Sequence, residues 1–258
     1  MNRTLLPLLA ALGPLALALA APAAPAHAQN ATAQTAGPFV YASYNVCEPA
    51  TVDAADAARA GMTTALNAHV AAGRISAWGW LTHSDGGVWT RASYTVAPTL
   101  EALMAFQDTW QAELGRDHAA ARTAIRTSCT QHADYIWRLV ASSAAPTEAG
   151  GDRAPFGGSI YMQCDQGGLA RADALFREHF AADLNALMRD GAISRWTWQA
   201  HVIGGQFTRA LILDTATALA TVQAMERVGD GVNAAALAEF NTLCPTHQDY
   251  VWGVTSSR

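Results

Sequence analysis

Apolar and polar residues alternate from Phe39 to Val46, around Tyr41, Tyr44 and Val46, which predicts a strand. Met62, Leu66 and Val70 then recur at helical spacing, and Gly73 stands where that helix should end. Ile75 to Leu81 alternates again around Trp78 and Trp80. Ser84-Asp85-Gly86-Gly87 is a hairpin signal, and Val88 to Val96 forms the returning strand. Pro98-Thr99 opens a second helix, with Thr99 as its cap. Leu100, Leu103, Phe106, Trp110 and Leu114 make its apolar stripe, and Gly115 is expected to break it. Asp134 to Val140 is the last strand of this set.

The same pattern then returns. Strands are expected at Ser159 to Gln163, Ile193 to Gln199, Gln206 to Leu213 and Asp249 to Thr255. Phe180, Leu184, Leu187 and Met188 share a helical face, Gly191 matches Gly73, and Gly229-Asp230-Gly231 ends the second helix. Whole words recur. Gly73-Arg-Ile-Ser-Ala-Trp78-Gly-Trp80-Leu-Thr-His83 returns from Gly191 to His201, with Trp196 and Trp198, after 118 residues. Cys129-x-x-His132-x-Asp134-Tyr135-x-Trp137 returns as Cys244-x-x-His247-x-Asp249-Tyr250-x-Trp252 after 115. The fold class expected is α+β: two tandem ferredoxin-like β-α-β-β-α-β repeats. Repeat 1 spans residues 39–143, a linker rich in Ala, Gly and Pro spans 144–158, and repeat 2 spans 159–258. Each sheet should run in the order 4-1-3-2, with both helices on one face. The bare faces carry Trp or Tyr and need a cover, so the two sheets are expected to pack face to face.

The N-terminus changes the expected compartment. Arg3, the apolar stretch Leu5 to Ala20 and Ala26-His27-Ala28 form a secretory signal over residues 1–28, followed by a polar leader over 29–38. A periplasmic or secreted protein is expected, with no membrane attachment after cleavage. Two of the four cysteines fall in each repeat, at matching places. In an exported chain they read as disulfides, and of the three connectivities repeat symmetry favours Cys47–Cys129 and Cys164–Cys244. The formal charge of −5, without a basic stripe, argues against nucleic acid as partner. All 16 basic residues are Arg, so neither a Schiff-base lysine nor a P-loop lysine is available.

Duplicated element order with a cover for each bare sheet resembles the dimeric α+β barrel superfamily in a fused, single-chain form, over about residues 39–256. That superfamily includes antibiotic-biosynthesis monooxygenases, EthD-like and NIPSNAP-like proteins and haem-binding relatives of chlorite dismutase. The resemblance implies a monomer acting as a pseudo-dimer. The motifs W-x-W-x-x-H and C-x-x-H-x-D-Y-x-W match no enzyme signature, so no catalytic residue carries over.

Candidate chemistry rests on the recurring residues. His83, His201, His132 and His247 recur in pairs, with Asp134 and Asp249 beside two of them; Trp78, Trp80, Trp196 and Trp198 are candidate ligand platforms. His83 and His132 lie on opposite edges of one sheet, roughly 14 Å apart. A shared site would need His83 to meet His247 and Asp249 of the other repeat. Residues present twice can simply be doing one packing job twice: the four Trp are core fillers before they are platforms, and Tyr135 and Trp137 are expected in the core or lining the barrel. No H-E-x-x-H, G-x-S-x-G, G-x-G-x-x-G or EF-hand signature is present. No cofactor and no metal site are predicted, although one histidine suffices to ligate haem. The expected function is binding of a small apolar or aromatic ligand in, or at the rim of, the barrel. The alternative is a monooxygenase-like or haem-binding barrel enzyme using His83 or His201. Positions where the copies differ, such as Asn45 against Met162 and Gly61 against His179, are where one half would have kept a site.

Overall fold

The computed structural model describes residues 37–143 and 153–258. The signal assigned to 1–28, residues 29–36 of the leader and residues 144–152 of the linker lie outside them. The first half runs β1 (Phe39–Cys47), α1 (Val52–Ala60), α2 (Thr63–Ala71), β2 (Ala77–Gly86), β3 (Arg91–Ala97), α3 (Leu100–Arg116), α4 (Ala119–Ser128) and β4 (Cys129–Ser142). The second runs β5 (Phe156–Gln163), α5 (Leu169–Leu175), a π turn (Phe176–Phe180), α6 (Ala181–Arg189), β6 (Arg195–Gly204), β7 (Arg209–Thr215), α7 (Ala218–Arg227), α8 (Ala234–Leu243) and β8 (Thr246–Ser257). No described helix is long and apolar enough to cross a membrane.

The eight strands close into one antiparallel barrel in the order β1-β3-β2-β8-β5-β7-β6-β4. Four consecutive strands of that ring come from each half, in the order 4-1-3-2. The sheets do more than face each other. They join edge to edge through β2 with β8 and β4 with β6, so every edge strand is paired.

Local chemistry explains the element ends. Thr99 and Thr217 accept from the backbone N–H three residues on, at 3.1 and 3.0 Å, capping α3 and α7. Gly73 and Gly191 take φ of +69° and +74° just past their helices, where only glycine is unstrained. Gly115 does not break α3, which continues to Arg116. A glycine in the last turn costs only about 1 kcal/mol, which the buried stripe of Leu103, Phe106 and Trp110 outweighs. The strands closing each half are longer than the alternation suggested, because their two neighbours are staggered: β4 pairs with β1 over Cys129–Arg138 and with β6 over Tyr135–Ser142, and β8 with β5 over Thr246–Gly253 and with β2 over Tyr250–Ser257.

Two disulfides, Cys47–Cys129 and Cys164–Cys244, tie β1 to β4 and β5 to β8 at the same end of the barrel. The helices cover the outside of the strands. Trp78 packs with Met62, Leu66, Phe106 and Trp110 in the first half, and Trp196 and Trp198 pack with Phe176, Phe180 and Phe240 in the second.

Candidate functional site

The barrel interior has two unlike ends. At the disulfide end it is filled. Trp89 is sandwiched between Tyr44 and Tyr250, with ring centroids 4.2 and 5.1 Å away. Tyr135 stacks on Trp137 at 4.9 Å and Tyr250 on Trp252 at 5.1 Å; Tyr161 and Phe207 close the remaining space. The hairpin glycines exist for this plug. A Cβ on Gly87 would stand 2.2 Å from the Tyr250 hydroxyl, and one on Gly205 2.2 Å from that of Tyr135. Each hairpin thus rests on a tyrosine of the other half, and the Tyr250 hydroxyl accepts from Val88 N–H at 3.2 Å.

The recurring residues take their places around this plug. His83 lies inside, edge-on to Trp252 at 6.0 Å and Tyr250 at 6.3 Å, with Nε2 buried and unpartnered. His201 mirrors it against Trp137 and Tyr135, and its Nε2 lies 3.1 Å from the Gly204 carbonyl. His132 and His247 are on the outside, each 3.5 Å from the aspartate two residues on, Asp134 and Asp249, and more than half exposed. His83 therefore does not meet His247 or Asp249; in the β2–β8 register it stands opposite Trp252. Burial pushes the Asp249 carboxyl above its ordinary range.

Trp78, Trp80, Trp196 and Trp198 all face the helices. The Trp80 indole N–H donates to Asp56 Oδ1 at 2.7 Å, and Arg91 clamps the same carboxylate with two bonds of 2.7 Å. Trp198, Asp173 and Arg209 repeat that arrangement at 2.8, 2.6 and 2.8 Å. Trp78 and Trp196 donate to Asn67 and Asn185 at 2.9 and 3.0 Å. These paired networks join α1 and α2, and α5 and α6, to the barrel wall.

The opposite end of the barrel is open inside. A cavity of about 120 Å³ is lined by Val40, Leu81, Ala92, Val96, Leu139 and Ile212, with Tyr44 and Tyr161 as its floor. Arg153, Asp214 and Arg195 form a polar cluster at its mouth. Arg195 Nε donates to Asp214 Oδ2 at 2.7 Å, Arg153 donates to Oδ1 of the same carboxylate, and the Arg153 guanidinium lies over the Tyr94 ring at 5.2 Å. Burial would raise the Asp214 pKa, but the two guanidinium groups outweigh it and hold the carboxyl below its ordinary range. Burial raises the Tyr161 hydroxyl pKa, keeping it a neutral donor. Gln199 and Thr197 add polar groups along one wall.

The recurring motifs gave no sign of this cluster, because it stands where the halves differ. Ala77 occupies the place of Arg195, and Val96 that of Asp214, after the same shift of 118. Two further cavities lie between sheet and helices. The first half has one of about 360 Å³ with polar walls that include His132 and Asp134. The second has a cleft of about 430 Å³ walled by Ile160, Met162, Phe180, Met225 and Phe240, with His247 at its edge.

Haem requires an axial donor aimed into an apolar slot. His69 has both ring nitrogens engaged, by Glu113 and Arg74 at 2.7 Å each. His83 and His201 abut the packed plug, with His201 Nε2 at the Gly204 carbonyl, and His132 and His247 turn Nε2 toward Asp134 and Asp249 in solvent. The donor set does not fit haem. No group of three His, Cys, Asp or Glu among the described residues is placed to hold a metal ion.

No protein-family model and no curated protein matches the chain. Solved structures do match in fold. A putative monooxygenase from Lactobacillus acidophilus aligns with a TM-score of 0.56 at 8% identity, over 86% of this chain and 95% of its own. An anthrone oxidase-like protein aligns at 0.54 and 12% identity, over 88% and 94%. A mutant chlorite dismutase from Candidatus Nitrospira defluvii aligns at 0.53 and 13%, over 86% and 92%. The chain has the α+β barrel fold of these proteins.

Proposed function

We propose that this protein binds a small aromatic or apolar molecule at the open end of its barrel. The ring would lie against Val40, Ala92 and Ile212, with a polar substituent toward Arg195 and Gln199. The observation that carries this reading is the cavity of about 120 Å³ beside the Arg153–Asp214–Arg195 cluster, whose carboxylate is buried. An apolar protein cavity of roughly 150 Å³ holds one benzene ring, so a single ring is the right scale. Apolar walls with a few fixed polar groups are what small-molecule sites present. The arrangement is attributed to duplication of a ferredoxin-like unit, a monomer serving as its own dimer. Two disulfides favour export to an oxidising compartment, as the N-terminal signal suggests.

The reading is tested by titrating toluene and phenol while following thermal unfolding. Wild-type protein should gain stability with ligand, and Val96→Phe, which fills the cavity, should abolish the gain. Equal gains in both proteins would sink the reading. A second reading has the same cavity oxidise its ring; the likeness in fold to a putative monooxygenase and an anthrone oxidase-like protein favours it. Oxygen uptake on adding a hydroxylated aromatic, lost in Val96→Phe, would distinguish catalysis from binding.

A further inference from the structure

A second site of different chemistry lies outside the barrel wall. In the second half, Phe176 stacks on Trp198 at 4.1 Å and meets Trp196 at 5.7 Å. In the first half the same place, over Trp78 at 5.4 Å and Trp80 at 5.7 Å, is taken by the guanidinium of Arg59. Arg59 is 6% exposed, its guanidinium makes no hydrogen bond or ion pair with any described residue, and its buried Nε has no partner. Burial lowers its pKa to about 10, so it remains a cation at neutral pH.

A buried cation without a counter-ion is costly, and proteins normally pair it. Here the cation faces the polar cavity of about 360 Å³ between the sheet and α1, α3 and α4. The walls change in step with it. Ser43, Asn45 and Thr95 stand in the first half where Ile160, Met162 and Leu213 stand in the second. Arg122 and Arg126 also line the cavity, and neither has an ion-pair partner among the described residues. Against these three cations the lining holds one carboxylate, Asp134, with His132 beside it. Trp80 and Trp110 supply apolar surface in the same space.

We propose that this cavity binds a small organic acid, its carboxylate paired with Arg59 and its apolar body against Trp80 and Trp110. The charge balance requires an anion, the aromatic walls favour a carbon skeleton over a bare ion, and the volume lies within the range of small-molecule pockets.

Phenylacetate is the probe, with phenylacetamide as its uncharged analogue and sodium phosphate as a bare anion, all followed by calorimetry on the whole exported protein. Phenylacetate should bind, and phenylacetamide at least about tenfold more weakly, as expected for losing a charged hydrogen bond. Arg59→Phe installs the residue of the second half and should abolish phenylacetate binding, whereas Val96→Phe, which closes the barrel cavity, should leave it intact. Equal affinity for acid and amide in the wild type, or unchanged binding in Arg59→Phe, would overturn the proposal. So would binding of phosphate alone. The wild-type comparison of acid with amide decides the matter even if a variant fails to fold.

Discussion

The two halves build the same wall and fill the space behind it differently. In the second half, Phe176, Ile160, Met162 and Leu213 line that space with hydrocarbon, beside an apolar cleft of about 430 Å³. In the first, Arg59, Ser43, Asn45 and Thr95 give a cavity of about 360 Å³ polar walls. The barrel interior repeats the lesson in reverse. There Ala77 and Val96 of the first half are apolar, while Arg195 and Asp214 of the second are charged. What the halves share, the W-x-W strand, the tyrosine under each hairpin and the aspartate clamp, builds the fold. What they do not share surrounds the cavities.

This contrast can be broken in order of expected size. Phe176→Ala should cost about 3–5 kcal/mol, whereas Arg59→Ala should cost far less, since no hydrogen bond is lost; chemical denaturation of the two variants measures both. Comparable losses would mean that the first half relies on Arg59 as the second relies on Phe176. The clamps come next. Asp173→Ala leaves the buried Arg209 unpaired and should cost about 3–5 kcal/mol. Asp56→Ala should cost less, because Arg91 and Asp56 are more accessible than Arg209 and Asp173. Acid should act in a defined window. The Asp214 and Asp56 carboxyls are held below their ordinary values, by arginines that outweigh the effect of burial. Their stabilisation is therefore present above about pH 4, the unfolded value, and is lost as pH falls through the lower folded values. Asp214→Asn should flatten the fall in melting temperature below pH 4. The smallest effect is expected outside: His132→Ala and His247→Ala break exposed pairs and should each shift stability by less than about 1 kcal/mol.

Much of the scaffold was legible in the sequence, for physical reasons. Thr99 and Thr217 cap as their positions suggest, Gly73 and Gly191 end helices, and the cysteines pair as the matched places favoured. Alternation does not say which face of a strand is inside. Trp78, Trp80, Trp196 and Trp198, candidate ligand platforms read first as core fillers, anchor helices, and Tyr135 and Trp137, expected in the core or lining the barrel, build the plug with Tyr250 and Trp252. The edge-to-edge seams, which set His83 against Trp252, depend on a register no local pattern encodes. Arg153 sits in a stretch that looked like linker. Arg195 and Asp214 escaped because a search for repeated words passes over the positions where the copies diverge. Asn45, singled out for that divergence, does line the polar cavity.

The proposed ligand chemistry sits where the halves differ and not at the rim of repeated histidines. It is tested most directly by methyl chemical-shift mapping during titration with toluene. Shifts concentrated on the Val40, Val96, Leu139 and Ile212 methyls, with the His83 and His201 ring signals unmoved, are the predicted result. Shifts centred on those two histidines, with the cavity methyls silent, would contradict it.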